Sequence, residues 1–253
     1  MVWLSSCVTN KKYVYLQKDD VNVSDLPKDT VVRTYSLPEY NYRIQPHDAL
    51  FIRFESLTPQ EFDIFNQPGA AMGQVQNMIN IQIIGHLVDP DGYIDYPVLG
   101  KIKVGGLTVF EAQEKIQKLA DEFLESPVVR VRLINFRFTV LGEVRSEGTI
   151  TTFNNRISVT EAIGLAGGLT DLADKRNVKL IRQNGNIVEI RYINLLDESF
   201  IGRPEYFIHQ NDVLIVPALK QRPYHAYFGK NLSLTLSALS LLIITLTFIN
   251  TIK

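Results

Sequence analysis

The chain of 253 residues has one cysteine, so no disulfide can form within it, and a lone thiol builds no cysteine metal site. Histidine is scarce as well. His47, His86, His209 and His225 are scattered with no carboxylate or cysteine at ligand spacing, so they read as turn or surface histidines and no metal is expected. Neither charge dominates, with 26 Lys and Arg against 27 Asp and Glu, and no basic patch or basic helix stands out. Nucleic acid is therefore not an expected partner. Ordinary apolar content with modest glycine and proline excludes a disordered chain. No Gly-rich run ends in Lys-Ser or Lys-Thr, so there is no P-loop; Gly105-Gly106 ahead of a helix could hold an anion, but a tight turn is the plainer reading. Ser5 and Ser6 lack a nucleophile's context, and the acidic residues show no pairing. No catalytic residue and no cofactor motif emerges, and nothing favours an enzyme.

What the chain does have is one long stretch without charge, Asn231 to Ile252. At about 1.5 Å of rise per residue it covers about 33 Å, enough for a hydrocarbon core about 30 Å thick. A transmembrane helix is predicted over 231–252. At 100° per residue, Ser233, Ser237, Ser240, Ile244, Thr247 and Thr251 fall within about 40° of one line, and all but Ile244 carry a hydroxyl. Leu234, Leu236, Leu239, Leu242, Leu246 and Ile249 form the opposite, lipid-like side, with Thr235, Thr245 and Asn250 as exceptions. The stripe has three readings: close helix contacts, the lining of a water-filled barrel, or hydroxyls that bond back to their own helix. Ahead of the helix, Arg222, Tyr224, Tyr227, Phe228 and Lys230 form the aromatic and basic collar of a membrane interface.

At the other end, Leu4-Ser5-Ser6-Cys7 has the small residues before a cysteine that a bacterial lipoprotein signal peptidase accepts, with Met1 to Leu4 as the tail of an apolar region. Residues 1–7 are read as the end of a lipoprotein signal with Cys7 acylated; a chance thiol is the alternative. Six residues fall short of the about 15 to 30 of a signal peptide, so the true start is placed upstream, or Met1 is an artefact of the assigned gene start. Residues 8–39 are polar, with Pro27 and Pro38 and no periodicity, and read as an extended tether that lets the body stand off the bilayer.

Between the ends the pattern is α+β. A turn at Pro46 and Asp48 leads into alternating Leu50, Ile52 and Phe54, a half-buried strand. Glu55 to Asn80 reads as a long loop. Ile81 to Val88, Asp91-Gly92 and Tyr93 to Pro97 read as a hairpin. A calcium loop at Asp89, Asp91, Gly92, Ile94 and Asp95 fails, because Leu87 and Val98 would occupy its first and last ligand positions. Thr108 and Glu111 form a capping box for a helix whose apolar face is Val109, Ala112, Ile116, Leu119, Ala120 and Phe123. Strands at 128–133 and 136–144 follow. Ser158 and Glu161 cap a second, short helix closed by Gly167-Gly168, and Asn184-Gly185 is the type I′ turn of a hairpin. A last strand, 213–216, stops at Pro217. The units expected are 40–135, a β-grasp-like 136–218, an interfacial linker 219–230 and the helix.

Over about 42–217 the chain resembles the bacterial polysaccharide export family, the Wza-like outer-membrane lipoproteins of capsule and exopolysaccharide secretion. Tyr42 to Phe54 is similar to that family's Tyr-x-Ile-x-Pro-Gly-Asp strand. Asp91-Gly92-Tyr93-Ile94, Tyr96-Pro97-Val98-Leu99-Gly100, Gly106-Leu107-Thr108 and Ser126-Pro127-Val128-Val129 resemble successive steps of its export domain. Gly142-Glu143-Val144 to Gly148, Thr160 to Ile163 and Ala166 to Thr170 look like its soluble-ligand-binding β-grasp domain, the SLBB domain. His47 stands where the family usually has Gly, Glu147 where it has Pro, and Gln210-Asn211-Asp212 where Pro-Gly-Asp is common.

The resemblance implies two small α+β units with a C-terminal transmembrane helix, an octameric ring, and a pore through which polysaccharide crosses the outer membrane with the lipid-anchored body in the periplasm. It also implies an inner-membrane polysaccharide co-polymerase of the tyrosine-kinase type as partner; with one β-grasp unit where the archetype has more, that partner would bridge a longer gap. The competing readings are a membrane-anchored carbohydrate-binding module without a pore, and a cytosolic tail-anchored protein. Tyr40, Tyr93 and Tyr96 could stack on sugars, with sheet packing the commoner fate.

Overall fold

The computed structural model describes residues 14–18, 20, 23, 27, 29–55, 85–185, 187–220 and 229–251. Strand β1 (Ala49–Glu55) buries Leu50, Ile52 and Phe54 by alternation and turns Arg53 and Glu55 outward. It pairs antiparallel with the two-residue β2 (His86–Leu87) on one side and β5 (Val128–Leu133) on the other. Helix α1 (Val109–Ala120) starts at the Thr108 capping box and buries Ala112, Ile116 and Ala120. Its glutamines cover the outer edge of β5. Gln117 Oε1 accepts the Val129 N–H at 2.8 Å, its Nε2 donates to the Pro127 carbonyl at 2.6 Å, and Gln113 Oε1 accepts the Val131 N–H at 3.3 Å. A strand edge is thereby closed to other chains. Phe123, expected on the buried face, lies past the helix end and is half exposed, because the chain leaves the 3.6-residue period at Asp121.

Strands β3 (Tyr93–Tyr96) and β4 (Gly100–Lys103) form a separate hairpin. The expected pairing across Asp91-Gly92 is corrected. The turn closes on Asp89, whose N–H donates to the Tyr93 carbonyl at 2.8 Å, but β2 then joins β1 while β3 joins β4. Gly92 serves a close approach: its carbonyl accepts from Val104 and Gly105, and a Cβ on Gly105 would sit 2.7 Å from the Gly92 Cα. The tight-turn reading of Gly105-Gly106 holds.

The second sheet contains β6 (Phe136–Gly142), β7 (Gly148–Thr152), β8 (Val178–Asn184), β9 (Ile187–Ile193) and β10 (Val213–Val216) in the order β7-β6-β10-β8-β9. The central β6 and β10 are parallel and every other pair is antiparallel. One face buries Phe136, Phe138, Val140, Val178, Leu180, Leu214 and Val216 together with Val159, Ala162 and Ile163 of helix α2 (Val159–Leu165). With the first and last strands of the unit adjacent and parallel at the centre, this is the β-grasp arrangement. The β8–β9 turn is one residue later than expected: Asn184 still pairs with Ile187, and the positive φ belongs to Gly185.

The first and second sheets share a continuous core, in which Tyr42 meets Phe136 edge-on at 5.9 Å between ring centres. The free tether expected over 8–39 is altered in its described part. The Leu16 and Gln17 N–H groups donate to the Leu195 and Leu196 carbonyls at 3.0 and 2.7 Å, and Arg33 pairs with Glu198 at 2.5 Å and with Asp20. The segment is extended but docked, because its backbone N–H groups and its arginine find partners along 195–198.

Candidate functional site

The C-terminal helix α3 (Gly229–Thr251) follows from a run without charge, glycine or proline after Lys230. Its membrane-length portion, Leu232–Asn250, is wholly unburied by the rest of the chain. Leu234, Leu242, Phe248 and Ile249 are all more than half exposed. About 28 Å of apolar surface without a protein covering is stable only in lipid or against neighbouring chains.

The hydroxyl stripe has local partners. Ser237 Oγ donates to the Ser233 carbonyl at 2.8 Å, Ser240 Oγ to that of Ser237 at 2.8 Å, and Thr247 Oγ1 to those of Ile243 and Ile244 at 3.0 and 2.9 Å. Thr235 and Thr245, off the stripe, do the same. Such bonds remove the cost of a hydroxyl in hydrocarbon and leave its oxygen able to accept from a neighbour. Thr251 and Lys230 belong to the helix but their side chains lie outside the described set, as do Cys7, Arg222, Tyr224, Tyr227 and Phe228 altogether.

The three tyrosines weighed for sugar contact are engaged in packing. Tyr96 is buried against Phe54 and His86, Tyr40 tilts onto Phe207 and His209, and Tyr93 lies under the Lys103 ammonium at 4.7 Å. Tyr192 on β9, which sequence inspection passed over, is 63% exposed. Among the described residues no group of three His, Cys, Asp or Glu side chains could hold a metal ion.

A polar junction between the two sheets also escaped the sequence reading. Asp48, just before β1, accepts from Tyr42 Oη at 2.6 Å and from the Gln45 N–H at 2.8 Å. Asp212, just before β10, accepts from the His209 N–H at 2.7 Å and pairs with Arg182, which also donates to the Phe207 carbonyl at 2.9 Å. Asn135 sits between the two turns. Its Oδ1 accepts the Ala49 N–H, its Nδ2 donates to the His47 carbonyl, and its own carbonyl accepts from Gln210 Nε2. Burial raises both carboxyls above the usual range, against the pull of Arg182 on Asp212. Burial, then Arg182, lowers His209 to about 4. The two turns share one pattern, an aspartate closing a turn ahead of a strand, and that repetition is the signal that could have revealed them as a pair.

The junction ties the turn ahead of β1 to the turn ahead of β10 and so joins the two sheets. The family model described as polysaccharide biosynthesis/export protein matches residues 36–134, and the SLBB domain model matches residues 136–216. A relative named EPS I polysaccharide export outer membrane protein EpsA, from Ralstonia nicotianae, is 31% identical over 104 residues, 40% of this chain and 27% of that protein. Its namesake from Ralstonia solanacearum is 29% identical over 102 residues, 39% of this chain and 27% of the relative. The matches thus span about a quarter of these relatives' length. With both domains matched in order, and the sheets that carry them described, the chain belongs to the polysaccharide export family.

Proposed function

We propose that the chain is a subunit of an outer-membrane polysaccharide export channel, serving capsule or exopolysaccharide secretion. Copies assemble as a ring, octameric by family resemblance, with the body in the periplasm, Cys7 acylated in the outer membrane and the α3 helices forming the wall of the pore. Polysaccharide passes through a hydrated lumen without bond chemistry. An inner-membrane co-polymerase of the tyrosine-kinase type drives or guides it from below.

The observation that supports this reading is an unburied helix of membrane length at the end of a body matched by both family models. Electron microscopy of detergent-extracted protein tests it: rings are expected, and monomers at every concentration overturn it. Fatty-acid labelling of the chain and of Cys7→Ala tests the anchor, with label lost from the variant.

A second reading has its own observation. Because Ser237 and Ser240 are satisfied within the helix, α3 could serve as a plain anchor for a carbohydrate-binding module without a pore. Ser237→Leu with Ser240→Leu separates the two: a pore wall loses export or ring stability while the body stays folded, and a plain anchor keeps both.

A further inference from the structure

The five-stranded sheet has a second face that α2 does not cover, and the strand register lays out what it carries. One row runs Ile190, Ile181, Val213, Thr139, Thr149 from β9 to β7; the next runs Tyr192, Lys179, Ile215, Leu141. The apolar exposure is concentrated at the β9 edge, where Val188, Ile190 and Tyr192 are each more than half exposed. At the opposite edge Phe153, just past β7, is 58% exposed.

Both edges are open. Among the described residues no backbone hydrogen bond reaches the outer side of β9 or β7; β7 carries no charged side chain, and the two charges of β9, Glu189 and Arg191, pair with each other. The first sheet differs, since α1 closes β5 with glutamines. The strand directions also match. β9 runs with β6 and against β7, so β9 of one copy meets β7 of another as an antiparallel pair when the sheet faces are kept aligned.

We infer that these two edges are halves of one contact, β9 of each copy adding to β7 of the next so that the β-grasp sheets join side by side. The inference rests on the ring proposed above and names the surface that builds it. Keeping the uncovered faces together places Val188 opposite Phe153, Ile190 opposite Thr151 and Tyr192 opposite Thr149, and gives the exposed Phe153 an apolar cross-strand partner. A contact between two different patches is head-to-tail, the kind that closes into rings. One strand pairing of this length falls below the about 1,200 Å² of a stable interface, so a copy needs both edges and its tail helix engaged.

The test uses the full chain extracted in detergent. In the proposed register Glu189 lies opposite Thr152, so the combined Glu189→Cys and Thr152→Cys variant is expected to give, on mild oxidation, a ladder of disulfide-linked multimers ending at the ring's copy number. Neither single variant gives that ladder. Ile190→Lys, on an exposed side chain, is expected to leave the fold intact by circular dichroism and to convert the oligomer to monomers. A missing ladder, or an intact oligomer in Ile190→Lys, overturns the edge contact while amine cross-linking still shows a ring; monomers in the unmodified chain overturn the ring as well.

Discussion

Arg182 grips Asp212 through two nitrogens, with Nε 3.0 Å from Oδ1 and Nη2 2.7 Å from Oδ2, and the carboxylate has no exposure to solvent. Removing one partner leaves the other charged, buried and unpaired. Arg182→Met is expected to cost about 3 to 5 kcal/mol. Adding Asp212→Leu to it recovers much of the loss. Urea unfolding of the full chain in detergent, followed by circular dichroism, measures both.

His47 and Asn211 occupy matching places in their turns and both have left-handed backbone, at φ 70 and 62. A histidine there strains against its Cβ, at a cost of about 1 to 2 kcal/mol. His47→Gly is expected to raise stability by up to about 1 kcal/mol. Asn211→Gly gains less, because asparagine tolerates the conformation and its Oδ1 accepts from Arg137 Nε at 3.0 Å. Equal gains from the two substitutions would sink this account.

Gly142 lies where β6 runs beside β10. Its φ is +95, and a Cβ there would come within 2.1 Å of the Val216 carbonyl oxygen. Gly142→Ala is expected to cost about 3 kcal/mol or more, since neither backbone can yield without breaking the parallel pair. Thermal unfolding against Gly164→Ala, which meets open space, supplies the comparison.

His209 is held neutral by burial and by Arg182, with its pKa lowered to about 4 from an ordinary 6.5. Its contribution to stability is complete above about pH 6.5 and is lost as the pH falls toward 4, where the unfolded chain takes the proton first. His209→Gln removes that dependence. The slope of unfolding free energy between pH 6.5 and 4 should flatten in the variant, and an unchanged slope assigns the acid sensitivity elsewhere.

Local chemistry made much of this fold legible. The Thr108 and Ser158 capping boxes, the alternation of Leu50, Ile52 and Phe54, and the Gly167-Gly168 helix stop all act through neighbours within a few residues, and the structure contains each of them. Non-local choices were not legible. Which strand Asp91-Gly92 would join depends on Gly92 meeting Gly105, and the junction depends on Asn135 reaching turns 86 and 75 residues away. Tyr192 and Phe153 escaped notice for a related reason: period-two alternation marks a strand without saying which face the helix covers.

The docked N-terminal segment has a mechanical consequence. Leu16 and Gln17 are bonded to residues 195 and 196, and Ala218 is bridged to Ala173, so both ends of the body leave from the β-grasp unit. Tension between the N-terminal segment and the C-terminal helix therefore has a short path through that unit, in parallel with the longer covalent path through the first sheet.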